Sequence, residues 1–85
     1  MNISDVRIRK VETDNRMKAI ASITIEGCFV IHDLRVIQGE DHLFVAMPSR
    51  RTATGEFKDI AHPINHETRK ELEQIIVDAY NKLEV

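Results

Sequence analysis

Strict alternation marks the first half of the chain. Between residues 2 and 12, Val6 and Ile8 alternate with Arg7 and Arg9, which predicts a strand with one apolar and one basic side. Over residues 17–26, Ala19, Ala21, Ile23 and Ile25 share one face, while Ser22, Thr24 and Glu26 share the other. A third strand, 28–37 from Cys28 to Ile37, is apolar on both faces apart from His32, Asp33 and Arg35, the pattern of a central or interface strand. A fourth covers 43–47. Turn chemistry separates them: Thr13-Asp14-Asn15, then Glu26-Gly27 as a tight hairpin with Gly27 at positive φ, then Gln38-Gly39-Glu40-Asp41. Strands joined so closely pair with their neighbours as an antiparallel meander.

The period then changes. Leu72, Ile75, Ile76, Ala79 and Leu83 recur at helical spacing and predict one helix from about 66 to 83. Asn65 suits the N-cap and Glu67 the first turn; Thr68-Arg69-Lys70-Glu71 is a competing capping box three residues on. The expected fold is α+β: an antiparallel β-meander of four to five strands with one C-terminal α-helix, in a single domain spanning 1–85. One helix covers only part of such a sheet, so dimerisation through the sheet is its natural completion.

Residues 47–60 fit neither period. Pro48 weakens regular pairing after Leu43-Phe44-Val45-Ala46, and Arg50-Arg51 and a small-polar run with Gly55 follow. Phe57 and Ile60 then return the chain to an apolar surface, so the segment reads as a loop anchored at both ends. Guanidinium forks match phosphates and carboxylates, so the pair calls for an anionic partner; solvated charge kept for solubility is the plainer alternative. Lys58 extends the patch, or is a simple exposed strand lysine. Arg7 and Arg9 can follow a phosphate backbone or protect a sheet edge. Arg69 and Lys70 oppose the helix dipole in the first turn, a hint that they serve a partner.

Charge sharpens this. The 85 residues carry a formal −2, which argues mildly against nucleic acid. Yet residues 1–18 hold five basic groups against three acids, and 49–60 hold three against two, so a local positive patch can form on an acidic chain. A single cysteine excludes an intrachain disulfide and fits a reducing, cytoplasmic setting; no apolar run reaches the roughly 20 residues of a membrane span. Cys28 reads as an inert buried thiol. Cys28, His32, His62 and His66 have superficial zinc spacing, but Cys28 and His32 sit about 13 Å apart along a strand and Pro63 interrupts the second pair, so no metal or other cofactor is expected. His32-Asp33 point to opposite faces and form no direct acid–base dyad, and no constellation supports an enzyme or a small-molecule substrate. With no Trp and few aromatics, binding is expected to lean on charge and hydrogen bonds rather than on base stacking.

Five stretches, taken in order, resemble one family: Asp5-Val6-Arg7-Ile8-Arg9, Arg16-Met17-Lys18-Ala19, Phe29 through Ile37, Leu43 through Arg51, and Gly55 through Asn65. They are similar to the stage V sporulation protein G (SpoVG) family of septation regulators. The resemblance implies a small cytoplasmic homodimer that binds DNA and RNA and regulates septation, sporulation or surface genes. It places the family's nucleic-acid-contacting basic pair, after Met-Pro-Ser, on Arg50 and Arg51. The candidate nucleic-acid-binding set is then Ser49, Arg50, Arg51 and Lys58, with Arg7, Arg9, Arg69 and Lys70. Relatives commonly read Thr-Pro-Asp-Gly where this chain has Thr52-Ala53-Thr54-Gly55, so a less rigid loop is expected; many also continue into an acidic tail. The acidic helix residues Glu67, Glu71, Glu73 and Asp78 support a different reading, a protein-interaction adaptor at the division septum.

Overall fold

The computed structural model describes residues 2–11 and 16–83; the expected turn at 13–15 lies outside the described residues. Strands β1 (Ile3–Lys10), β2 (Met17–Ile25), β3 (Phe29–Gln38) and β4 (Leu43–Ala46) form an antiparallel meander in the order β1-β2-β3-β4. Two short strands follow, β5 (Ser49–Arg51) and β6 (Phe57–Asp59), paired as a separate sheet, and then α1 (His66–Lys82). The α+β meander with one helix is as expected.

The alternation of β2 does what it predicts: Ala19, Ala21 and Ile23 are all buried, joined by Leu34 and Val36 of β3 and Val45 of β4. From α1, Leu72 and Ile76 close this core. Val77 and Tyr80 also pack against it, whereas Leu83 of the expected stripe is 44% exposed. Lys10 places its ammonium 5.5 Å from the centroid of the Tyr80 ring, tying β1 to the helix. Asn65, not Thr68, is the N-cap: its Oδ1 accepts from the Thr68 amide at 2.8 Å. Among the described residues no helix is long and apolar enough to cross a membrane.

The β2–β3 connection is tighter than a generic hairpin. Glu26 and Gly27 both have positive φ, and the Cys28 amide donates to the Ile25 carbonyl at 3.1 Å, the geometry of a type I′ turn. The Glu26 amide donates to the Asn2 carbonyl at 2.7 Å, so the start of the chain straps this turn. Cys28 therefore sits exposed in a turn, which corrects the expectation of a buried strand thiol.

β3 also differs from the expected central strand. Its pairing with β2 shifts register between Ala21 and Ile23, so that His32 and Asp33 share the space opposite Ser22. This is a bulge, with Asp33 at φ 66, a conformation Asp tolerates better than most residues. The bulge breaks the period, so Ile31 is half-buried and Leu34 buried, with two exposed residues between them. β4 pairs only with Arg35–Gln38. Among the described strands none pairs with the other edge of residues 29–33, where Phe29 is 63% and Val30 46% exposed.

Candidate nucleic-acid interface

The segment expected as a loop is a β-hairpin. Pro48 is buried beside Met47, and its carbonyl accepts from the Ile60 amide at 2.7 Å, closing the base of the hairpin. Beyond it Ser49 faces Asp59, Arg50 faces Lys58, and Arg51 faces Phe57. Thr52 and Glu56 close the tip through a 2.7 Å bond from the Thr52 amide to the Glu56 carbonyl. The Gly55 amide returns to the Thr52 carbonyl at 3.0 Å, with Gly55 at φ 90. This is a three-residue loop ending in a left-handed position, which glycine fills without strain. The Thr52 hydroxyl also accepts from the Glu56 amide and lies 3.0 Å from the Thr54 hydroxyl, so Thr52 ties the tip. The apolar anchors are a second correction: Phe57 is 72% and Ile60 64% exposed, so backbone pairing, not side-chain burial, holds the segment.

Directly opposed residues of an antiparallel pair share a face. Arg50 and Lys58 therefore project together on one side of the ribbon, and Ser49, Arg51, Phe57 and Asp59 on the other. Arg50, Arg51 and Lys58 form no ion pair among the described residues. Arg51 lays its guanidinium along the tip, where a Cβ built on Gly55 would sit 3.7 Å from Nη2.

Arg35, which sequence reasoning left out of the site, joins the hairpin to the sheet. Its Nη2 donates to the Met47 carbonyl and to the Ser49 hydroxyl, each at 3.3 Å. The signal was available: Leu34 and Val36 are inward, so alternation turns Arg35 to the opposite face. Arg69 is half-buried and borders a groove with Arg35, Ser49, Phe57, Asp59 and Glu73, so the structure brings it to the hairpin. Lys70 does not join them; it borders a separate depression with His42, Leu43 and Val77. Arg7 and Arg9 lie on the sheet face away from the helix, and Arg7 pairs with Asp5 at 3.1 Å with both side chains exposed. On that face the register Arg9–Ile20–Arg35–Ala46 puts Arg9 two strands, about 10 Å, from Arg35. At the far end of β4 the His42 imidazole, 2.6 Å from Asp41, holds that carboxylate below its ordinary range by hydrogen bonding and by charge. Among the described residues no three His, Cys, Asp or Glu side chains gather as a metal site.

The SpoVG family model matches residues 1–82. The chain belongs to the SpoVG family. It is 59% identical over 83 residues to the "Putative septation protein SpoVG" of Clostridium perfringens strain ATCC 13124, covering 98% of this chain and 92% of the relative. The "Putative septation protein SpoVG 1" of Listeria monocytogenes strain F2365 is 65% identical over 80 residues, or 94% of this chain and 78% of that protein. A Staphylococcus aureus SpoVG is 56% identical over 84 residues, covering 99% and 84%. The SpoVG match thus spans both the meander and the hairpin, so the arginine pair lies inside the family's domain.

Proposed function

We propose that this SpoVG-family chain is a DNA- and RNA-binding regulator acting in septation and sporulation control, with the β5–β6 hairpin as its phosphate-contacting element. The supporting observation is the opposition of Arg50 and Lys58, flanked by Arg51 on the adjoining face. Like charges directly across a ribbon disfavour its pairing, and no described acid forms an ion pair with either. A polyanion relieves that repulsion and draws on guanidinium geometry suited to phosphate. The septation role draws on the names of the relatives. The reading assigns no reaction to the chain.

A homodimer belongs to the same proposal. Its support is the unpaired half of β3, where exposed Phe29 and Val30 border an edge open to strand addition. A homodimer supplies the basic set twice. Light scattering at micromolar concentration is expected to give a dimer mass; a monomer mass defeats this part.

The main test is affinity for DNA and RNA across a salt series, for wild type and for Arg50→Ala/Arg51→Ala. Losing two phosphate contacts should weaken binding at low salt and flatten the log–log salt slope by about 1.4–1.8. A folded double variant with unchanged affinity and slope removes the hairpin from the function. A nuclease-resistant pull-down that survives the substitutions would instead favour the septal adaptor.

A further inference from the structure

We infer that the hairpin is one end of a track for single-stranded nucleic acid that crosses the open face of the sheet, with Phe57 as its base-stacking platform. The inference rests on the nucleic-acid reading above and specifies the form of the ligand.

Two depressions on that face and a third that rounds the β4 edge towards the helix share their walls. Arg7, Arg9, Ile20 and Asp33 border the first. Ile20 and Asp33 also border the second, together with Met17, Arg35, Ser49 and Phe57. Arg35, Ser49 and Phe57 continue into the third, beside Asp59 and Arg69. The course therefore runs from the β1 arginines, over Ile20 and Arg35, to the inner side of the hairpin, with guanidiniums at intervals along it.

Phe57 is the feature that charge alone does not explain. A phenylalanine that is 72% exposed forgoes the burial that normally favours so large an apolar side chain. It sits across from Arg51 and borders two of the three depressions, so an aromatic face and a guanidinium are offered together. That pairing serves unpaired bases, which stack on aromatic rings while cations hold the backbone. It departs from the expectation that binding leans on charge rather than on stacking: one exposed ring, correctly placed, would provide a platform.

The choice of a single strand over a duplex follows from the acids. A two-stranded ribbon alone fits a major groove. But Asp33, Asp59 and Glu73 lie along the depressions, where they repel the dense phosphate of a duplex. Carboxylates accept hydrogen bonds from exocyclic amines, which unpaired bases present freely.

The test is fluorescence anisotropy at about 50 mM salt with single strands of roughly a dozen nucleotides, DNA and RNA, of mixed sequence, and with the same strands annealed to their complements. The single strands should bind more tightly than the duplexes. Phe57→Leu should weaken single-strand binding about fivefold or more, with Phe57→Tyr close to wild type and duplex affinity unmoved by either. Circular dichroism checks that each variant is folded, as the exposure of Phe57 leads one to expect. Tighter duplex binding, or a Phe57→Leu affinity within about twofold of wild type, overturns the track and leaves the nucleic-acid reading standing. Binding of none of the probes overturns both.

Discussion

Replacing Lys58 with glutamate should stabilise the protein while impairing binding. Lys58 faces Arg50 across a ribbon of two three-residue strands, with no described acid paired to either. A cross-strand pair contributes roughly 0.2–1 kcal/mol, favourable for opposite charges and unfavourable for like ones. Lys58→Glu converts repulsion to attraction. Two effects hold the gain to the lower part of that range: both positions are exposed, and Glu56, two residues earlier on the same face, repels the new carboxylate. A net gain of about 0.5 kcal/mol raises Tm by about 2–4 °C in a domain of this size. Lys58→Gln, which only removes repulsion, should give roughly half as much. The gain should fade in about 1 M salt, where the Debye length is about 3 Å.

Binding should move the opposite way. Losing one phosphate contact lowers the salt slope by about 0.7–0.9, and the new negative charge weakens affinity further at low salt. Calorimetry at low and high salt, paired with anisotropy on one nucleic-acid probe, reads both effects on the same samples. An unchanged or lower Tm at low salt would refute the claim that opposed cations strain the ribbon. A raised Tm with unchanged affinity would refute contact by Lys58.

Two further substitutions test how the site is held. Arg35→Met keeps most of the stem's packing but removes the donors to the Met47 carbonyl and Ser49 hydroxyl; about 1 kcal/mol of stability should be lost in urea titration, with weaker nucleic-acid binding. An unchanged midpoint and affinity would mean that Arg35 does not hold the hairpin. Asn65→Ala removes the acceptor for the Thr68 amide and should cost about 1 kcal/mol, or about 4–8 °C in Tm, whereas Asn65→Ser should retain most of it. Equal melting of both variants would return the cap to the Thr68 capping box.

What was legible in the sequence was what burial enforces. Ala19, Ala21 and Ile23 had to face one way, and Leu72 and Ile76 had to meet them, so the meander and the helix followed from periodicity. Elsewhere the signal failed for identifiable reasons. The bulge at His32-Asp33 inserts one residue and breaks the period of β3, so a strand exposed at one end resembled one buried throughout. β5 and β6 contain no buried residue, and strands of three residues show no period at all. Their pairing depends on the Ile60–Pro48 bond and the turn at Gly55, a tertiary arrangement that Arg50 and Lys58 oppose. The arginine pair, with Lys58 extending it, was legible as chemistry; that Lys58 faces Arg50, that Arg35 supports the hairpin and that Phe57 is its neighbour needed the register.

The features that hid the hairpin also fit it for its proposed work. Every buried apolar residue of the core comes from β2, β3, β4, α1 or Met47, and none from β5 or β6. The core therefore does not rest on the hairpin, and the opposed cations cost the domain only the few tenths of a kcal/mol, roughly, of one exposed cross-strand pair. Held by backbone bonds at its base and tip and by Arg35, the ribbon belongs to the less stable part of the molecule. Under the proposed function, a bound polyanion would offset the Arg50–Lys58 repulsion. At a hundredfold excess over Kd, binding stabilises the folded state by about 2.7 kcal/mol, more than the cross-strand repulsion costs. In the proposed complex the repulsion would be relieved, which would make the order of the hairpin, rather than that of the sheet, the property most sensitive to ligand.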